Sequence, residues 1–117
     1  MPSLAELEQQ LNRMLLDGHN DAAIERFYAD DATLQENNEP PTVGKAAILA
    51  RERGFVENVA ESKPTVLHSF AVGDGVTFSE WTYDMTFKDG TRFVLHEIAR
   101  RHWQDGKVVR ERFYYAR

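Results

Sequence analysis

The sequence predicts an α+β fold, with helices first and an antiparallel sheet after them. Apolar residues recur at helical spacing through the first half of the chain. After Pro64 the period drops from 3.6 to 2, the mark of strands. That second half is punctuated by Gly73-Asp74-Gly75, Lys88-Asp89-Gly90 and Gln104-Asp105-Gly106. Asp-Gly signals of this kind join consecutive antiparallel strands as hairpins.

Ser3 and Glu6 form a capping box, with Leu4, Leu7, Leu11, Met14 and Leu15 following at helical spacing. Helix one is predicted over Leu4–Asp17, with Gly18 as its stop. Asn20 or Asp21 can cap a short second helix whose apolar face is Ala23, Ile24, Phe27 and Tyr28. Asp30-Asp31 ends it, and Thr33–Glu36 reads as a short strand. Asn37-Asn38-Glu39-Pro40-Pro41 is a loop, because two prolines remove two donors. A third helix follows Gly44, with Ile48, Leu49, Phe55, Val56 and Val59 as its buried stripe, and Ser62-Lys63-Pro64 breaks it. The predicted strands are Thr65–Val72, Val76–Lys88, Arg92–Gln104 and Lys107–Tyr115. Strands this long need strong coiling or a bulge to wrap a core.

The chain has 117 residues, 42% apolar and 28% charged, which suits one soluble globular domain over 1–117. No apolar run reaches the ~20 residues of a membrane helix, and the start shows no secretory pattern. The absence of cysteine excludes disulfides and thiolate chemistry and fits a reducing cytoplasm. A net charge of −5 argues against nucleic acid as the partner. The late arginines alternate with Glu111 and aromatics, as on a mixed-charge strand surface.

Phe27-Tyr28-Ala29-Asp30-Asp31-Ala32-Thr33-Leu34 resembles the helix-to-strand junction of nuclear-transport-factor-2-like proteins. Within that superfamily it is similar to the SnoaL-like polyketide cyclases and ketosteroid isomerases. Val43-Gly44-Lys45-Ala46-Ala47-Ile48 resembles their third-helix start, and Trp103-Gln104-Asp105-Gly106-Lys107-Val108-Val109 their last hairpin. The resemblance implies a cone-shaped (cystatin-like) roll of N-terminal helices on a strongly bent sheet, closing around a pocket. It does not specify the reaction, because this fold hosts isomerases, cyclases, epoxide hydrolases, dehydratases and non-enzymes.

By that resemblance Glu36 matches the place of the isomerases' general base. A carboxylate at the edge of an apolar cone can have a raised pKa and accept a proton from carbon. The plain alternative is a solvated strand-end residue. The isomerases' oxyanion donors are missing: helix one has no tyrosine near Leu11 or Asn12, and the aspartate position falls on Ala99. Steroid isomerisation is therefore not expected. The polar loop with Asn37 and Asn38 borders the pocket mouth, either offering amide donors or serving as a stiff connector.

Alternation puts Val109, Glu111, Phe113 and Tyr115 on one face of the last strand, matched by resemblance to the pocket face. On the neighbouring strand Glu97, Arg101 and Trp103 share a face with Ala99. An inward Glu97–Arg101–Glu111 cluster follows, with Arg101 as counter-ion. The alternative is an outward ion-pair ladder. Those residue types, with Asn37 or Asn38, also resemble the water-activating set of limonene-epoxide-hydrolase-like members. On Val76–Lys88, Trp81, Tyr83, Met85 and Phe87 share one face and Glu80, Thr82, Asp84 and Thr86 the other. The aromatic face either lines the pocket or is the outer face buried against a second subunit, and with either orientation a homodimer through the outer sheet face is expected.

His96 and His102 lie about 20 Å apart on one strand and cannot share a metal. His96-Glu97 lacks the second histidine of a zinc helix motif. His96 or His68 can line the pocket as an acid or donor, or sit on the strand surface; His19 has no evident role. No metal, nucleotide or other cofactor is expected. The sequence thus predicts a small, largely apolar ligand, with catalysis (isomerase or cyclase type) by Glu36 supported by Glu111, Arg101 and His96. The competing expectation is a non-catalytic binding or dimerisation module with a filled cone.

Overall fold

A computed structural model, which describes residues 2–116, shows three helices and a six-stranded curved sheet. Helix α1 (Leu4–Leu16) begins where the Glu6 amide donates to Ser3 Oγ at 3.1 Å. Helix α2 (Asn20–Phe27) has no side-chain cap: Asn20 is already helical and donates to Glu52 at 2.7 Å. Strand β1 (Tyr28–Glu36) starts five residues before the expected strand, so Tyr28 is a strand residue, not part of a helical face. Two residues, Thr42–Val43, form β2 against β1.

Helix α3 (Lys45–Val56) buries only Ile48 and Leu49. Phe55 and Val56 are exposed, and Val59 belongs to β3 (Val59–Val72). Ser62-Lys63-Pro64 therefore lies inside a strand rather than breaking a helix. Proline is tolerated there because β3 is the sheet edge, where one side of the strand needs no ladder bonds. The other strands are β4 (Val76–Phe87), β5 (Arg92–Gln104) and β6 (Lys107–Tyr114). Asp105 and Gly106 both have positive φ, 53° and 77°, as a two-residue hairpin turn requires. Gly75 has φ 73°, and a Cβ there would stand 2.8 Å from the Trp103 carbonyl oxygen, so only glycine fits.

The strand order is β2-β1-β6-β5-β4-β3. All neighbours are antiparallel except β1 and β6, which run parallel and were not foreseen as partners. The register slips between His102 and Trp103, with Trp103 opposite Val108 and Arg110 opposite His102. Val109 is the extra residue of that bulge, so Val108 is the residue that shares the inner face with Glu111. A strict alternation fails at that point. The core is formed by Leu11, Ala23, Ile24, Phe27, Tyr28, Ala32, Leu34, Ile48, Leu49, Trp103 and Val108, between the helices and the β1–β6 side of the sheet.

Candidate functional site

Trp81 lies opposite Glu97 and Ser79 opposite Ala99, with Ala99 opposite Phe113 and Arg101 opposite Glu111. The concave face therefore carries Trp81, Tyr83, Met85 and Phe87 from β4 with Glu97, Ala99 and Arg101 from β5. Glu80 and Asp84 point to the convex face. This overturns the reading in which the aromatic stripe of β4 is the outer, subunit-covered face.

Two distinct sites lie on the concave face. At the core end, α1 drops Glu8 and Asn12 onto the sheet. Arg101 donates to Glu111 at 2.6 Å and to the Asn12 side-chain oxygen at 2.7 Å, and lies 3.0 Å from Glu8. Glu8 also accepts from Thr77 at 2.9 Å and from Ser79, while Tyr28 donates to Glu111. Trp103 donates to Thr77 at 2.9 Å. Arg101, Glu8 and Glu111 are each at most 2% exposed. Burial alone would lower the guanidinium, but Glu8 and Glu111 hold it well above its ordinary range. Burial and the neighbouring Glu111 charge push the Tyr28 phenol far up. Every member is paired, which is the condition for charges to survive burial.

At the open end is a cavity of about 1320 Å³ between the α1–α2 connection, the last turn of α3 and strands β3 to β5. Phe55, Tyr83, Phe87, Phe93, Phe113 and Tyr115 supply its aromatic walls. Phe55 and Val56 stand exposed on α3 because they face this space. Glu97 lines it while only 8% exposed, and no hydrogen bond reaches its carboxyl among the described residues. Burial, then the Glu111 charge, push that carboxyl up to about 8, against the pull of Arg101. Tyr83 lines the same wall. Burial, then Glu97, push its phenol well up, so it stays protonated at neutral pH.

The remaining sequence-predicted residues divide clearly. Glu36 is at the cavity wall but ion-paired with Arg51 at 2.5 Å. Glu111 and Arg101 pair with each other in the core and do not line the cavity; the expected counter-ion of Glu97 is thus taken by other carboxylates. Trp103 packs edge-on to Phe27, at 6.1 Å, also away from the cavity. Trp81 is 1% exposed and stacks on Tyr83 at 5.4 Å, behind the wall. His96 is on the convex face within 3.2 Å of Thr82 Oγ1, which removes it from the pocket because odd-numbered residues of β5 face inward there. Asn37 and Asn38 do not line the cavity either. Arg112 donates to the Asn37 carbonyl at 2.9 Å and to Asn38 Oδ1, and the Tyr115 amide donates to Asn37 Oδ1 at 3.0 Å. These residues fasten the loop to β6. Glu8, Asn12 and Tyr28 are the functional-looking polar groups the sequence reading missed. Glu8 and Asn12 sit four apart on the same stripe as Leu4, Leu11 and Leu15, and polar residues within an apolar stripe were the available signal.

A model of the SnoaL-like domain matches residues 9–111. No curated protein matches the chain. Among solved structures, a candidate SnoaL-like polyketide cyclase [carbohydrate phosphatase] from Mesorhizobium loti is 28% identical with a TM-score of 0.83, covering 97% of this chain and 100% of that one. A candidate polyketide cyclase from Pseudomonas putida KT2440 is 17% identical with a TM-score of 0.84, over 99% and 93%. A Catenulispora acidiphila protein with a ketosteroid isomerase-like fold, in complex with trimethylamine, is 16% identical with a TM-score of 0.78, over 99% and 87%.

Proposed function

The chain belongs to the SnoaL-like domain family, and we propose that it binds a small, largely apolar organic molecule in the cavity and moves a proton on it with Glu97. The observation that supports this reading is a carboxyl at the base of an aromatic-walled cavity, without a hydrogen-bond partner among the described residues and with its pKa pushed up to about 8. A group poised near neutral pH is suited both to take a proton from carbon and to return it. Tyr83, kept protonated in the same wall, is placed to hydrogen-bond the oxygen on which charge develops. Glu36 and Arg51 act as a charged pair in the wall, and Glu97 takes the base role that the sequence suggested for Glu36.

A non-catalytic module with a filled cone is less well supported, because Trp81 and Trp103 pack behind the wall and leave the space open. Water activation by Glu97, Arg101 and Glu111 has less support still, since Arg101 and Glu111 are sealed from the cavity. With no hydroxyl, amide or acid at Ala99, a classical steroid isomerase site is incomplete.

The test is carbon-acid exchange. Cyclic ketones and 1,3-dicarbonyl compounds in deuterium oxide are expected to lose their acidic C–H signals faster with the protein than without it, by proton NMR. Exchange no faster than in buffer across the panel contradicts the catalytic reading.

A second copy is proposed on the convex face, where Phe70 stacks on Phe78 at 5.9 Å and Phe70, Val94 and Ile98 remain exposed. Sedimentation is expected to show a dimer that Phe70→Glu weakens at least about tenfold. A wild-type monomer at tens of micromolar would remove this surface from the account.

A further inference from the structure

The cavity wall is strongly one-signed. Among the described residues, seven carboxyl groups line it against three cations, Arg51, Arg53 and Lys88. Arg51 is engaged by Glu36 and Arg53 by Asp21, at 2.5 and 2.8 Å. Glu61 is engaged by Lys63 at 3.4 Å. Asp17, Glu52, Glu57 and Glu97 thus face the space, and among the described residues that line it only Lys88 is left to offset them. An anionic ligand would enter against this field, and a cationic one would be drawn in.

Glu97 is more than nine-tenths buried, lines the cavity and has no hydrogen-bond partner among the described residues. The charged or titratable groups acting on it are Glu111 from β6, Arg101 from β5, Glu36 from β1 and Arg51 from α3, with Tyr83 beside it on β4. Arg101 is committed to Glu8 and Glu111, and Arg51 to Glu36. A buried carboxylate without a counter-ion is costly, so the site holds a proton until some other positive charge replaces it. The aromatic rings of Tyr83, Phe93, Phe113 and Tyr115 line the same space, and ring faces attract cations. Among the described residues no group of three or more His, Asp or Glu side chains is placed to hold a metal. The charge that fits is an organic one.

We propose that the cavity's ligand is an organic ammonium ion, an apolar body carrying a positive nitrogen that seats against Glu97. This rests on the cavity being the ligand site and adds the class of ligand. Binding replaces the Glu97 proton, which leaves to solvent, and so converts Glu97 into its proton-accepting form.

The test compares phenyltrimethylammonium with tert-butylbenzene, its neutral isostere, by isothermal titration calorimetry at pH 7 in buffers of different ionisation enthalpy. The ammonium is expected to bind at least about tenfold tighter, with release approaching one proton per site. In Glu97→Gln the preference should shrink to under about threefold and the proton release should vanish. Proton release by the wild type is informative even if that variant does not fold. Equal affinity for the two probes, or tighter ammonium binding without proton release, overturns the proposal. If tert-butylbenzene binds and the ammonium does not, the cavity remains a ligand site and only the ammonium inference fails. If neither binds, both fail.

Discussion

Replacing Arg101 by methionine is expected to destabilise the protein by about 3–5 kcal/mol. The side chain is 1% exposed and is the cation among Glu8, Glu111 and the Tyr28 phenol. Methionine fills similar volume, so the loss is electrostatic rather than a cavity effect. It strands two carboxylates that have no access to water. Domains of this size have ~5–15 kcal/mol of stability in all, so the variant stands near the limit of folding. Urea unfolding is the measurement. The combined Glu8→Gln, Arg101→Met and Glu111→Gln variant should recover most of the loss, because neutral partners no longer need the guanidinium. A single Arg101→Met variant within about 1 kcal/mol of wild type would show that the network is not the buried anchor between α1 and the sheet.

Glu97→Gln keeps shape and loses titration. Removing a positioned proton acceptor typically costs ~10²–10⁴ in rate, and that loss is expected in the exchange assay. The pH profile carries more information than the loss itself. With the carboxyl pushed up to about 8, roughly a tenth of the molecules hold the base form at pH 7. The wild-type rate should climb with pH and level off above about 8, and the variant should lack that limb. Stability should move the opposite way. The folded state keeps a proton on Glu97 that the unfolded chain has already released above its ordinary value of 4.5. Stability therefore falls as pH rises from there to about 8, at up to about 1.4 kcal/mol per pH unit, and this component disappears in Glu97→Gln. A flat wild-type rate profile, with the variant within a few-fold of it, would take Glu97 out of the chemistry.

The fold was legible because its signals are local. The Ser3–Glu6 cap, the change of period and the Asp-Gly turns each act over a few residues, and they give α1, the three hairpin turns and strands β4 to β6 within a residue or two. What escaped depends on distant chain. Val59–Pro64 reads as the end of a helix, and only its edge position beside β4 makes it strand. The parallel contact of β1 with β6 joins segments about 80 residues apart and has no local signature. The inward face of Glu97, Glu111 and Phe113 follows from alternation, yet alternation also places Val109 with them, and the bulge removes it. The resemblance led to Glu36, which stands in the wall beside Arg51. The deeper carboxylate, Glu97, was legible as an inward residue but not as an uncompensated one. Its expected partner Arg101 is drawn off by Glu8, a residue hidden in an otherwise apolar helix stripe.

Glu97 is a buried carboxyl open to the cavity, with Arg101 committed to other carboxylates. Carbon-13 NMR of side-chain carboxyls across pH 3–10, with Glu97 assigned by its absence in Glu97→Gln, measures this directly. The expected midpoint for Glu97 is near 8. A midpoint near the ordinary 4.5 would contradict it, and with it the proton-transfer role of the cavity.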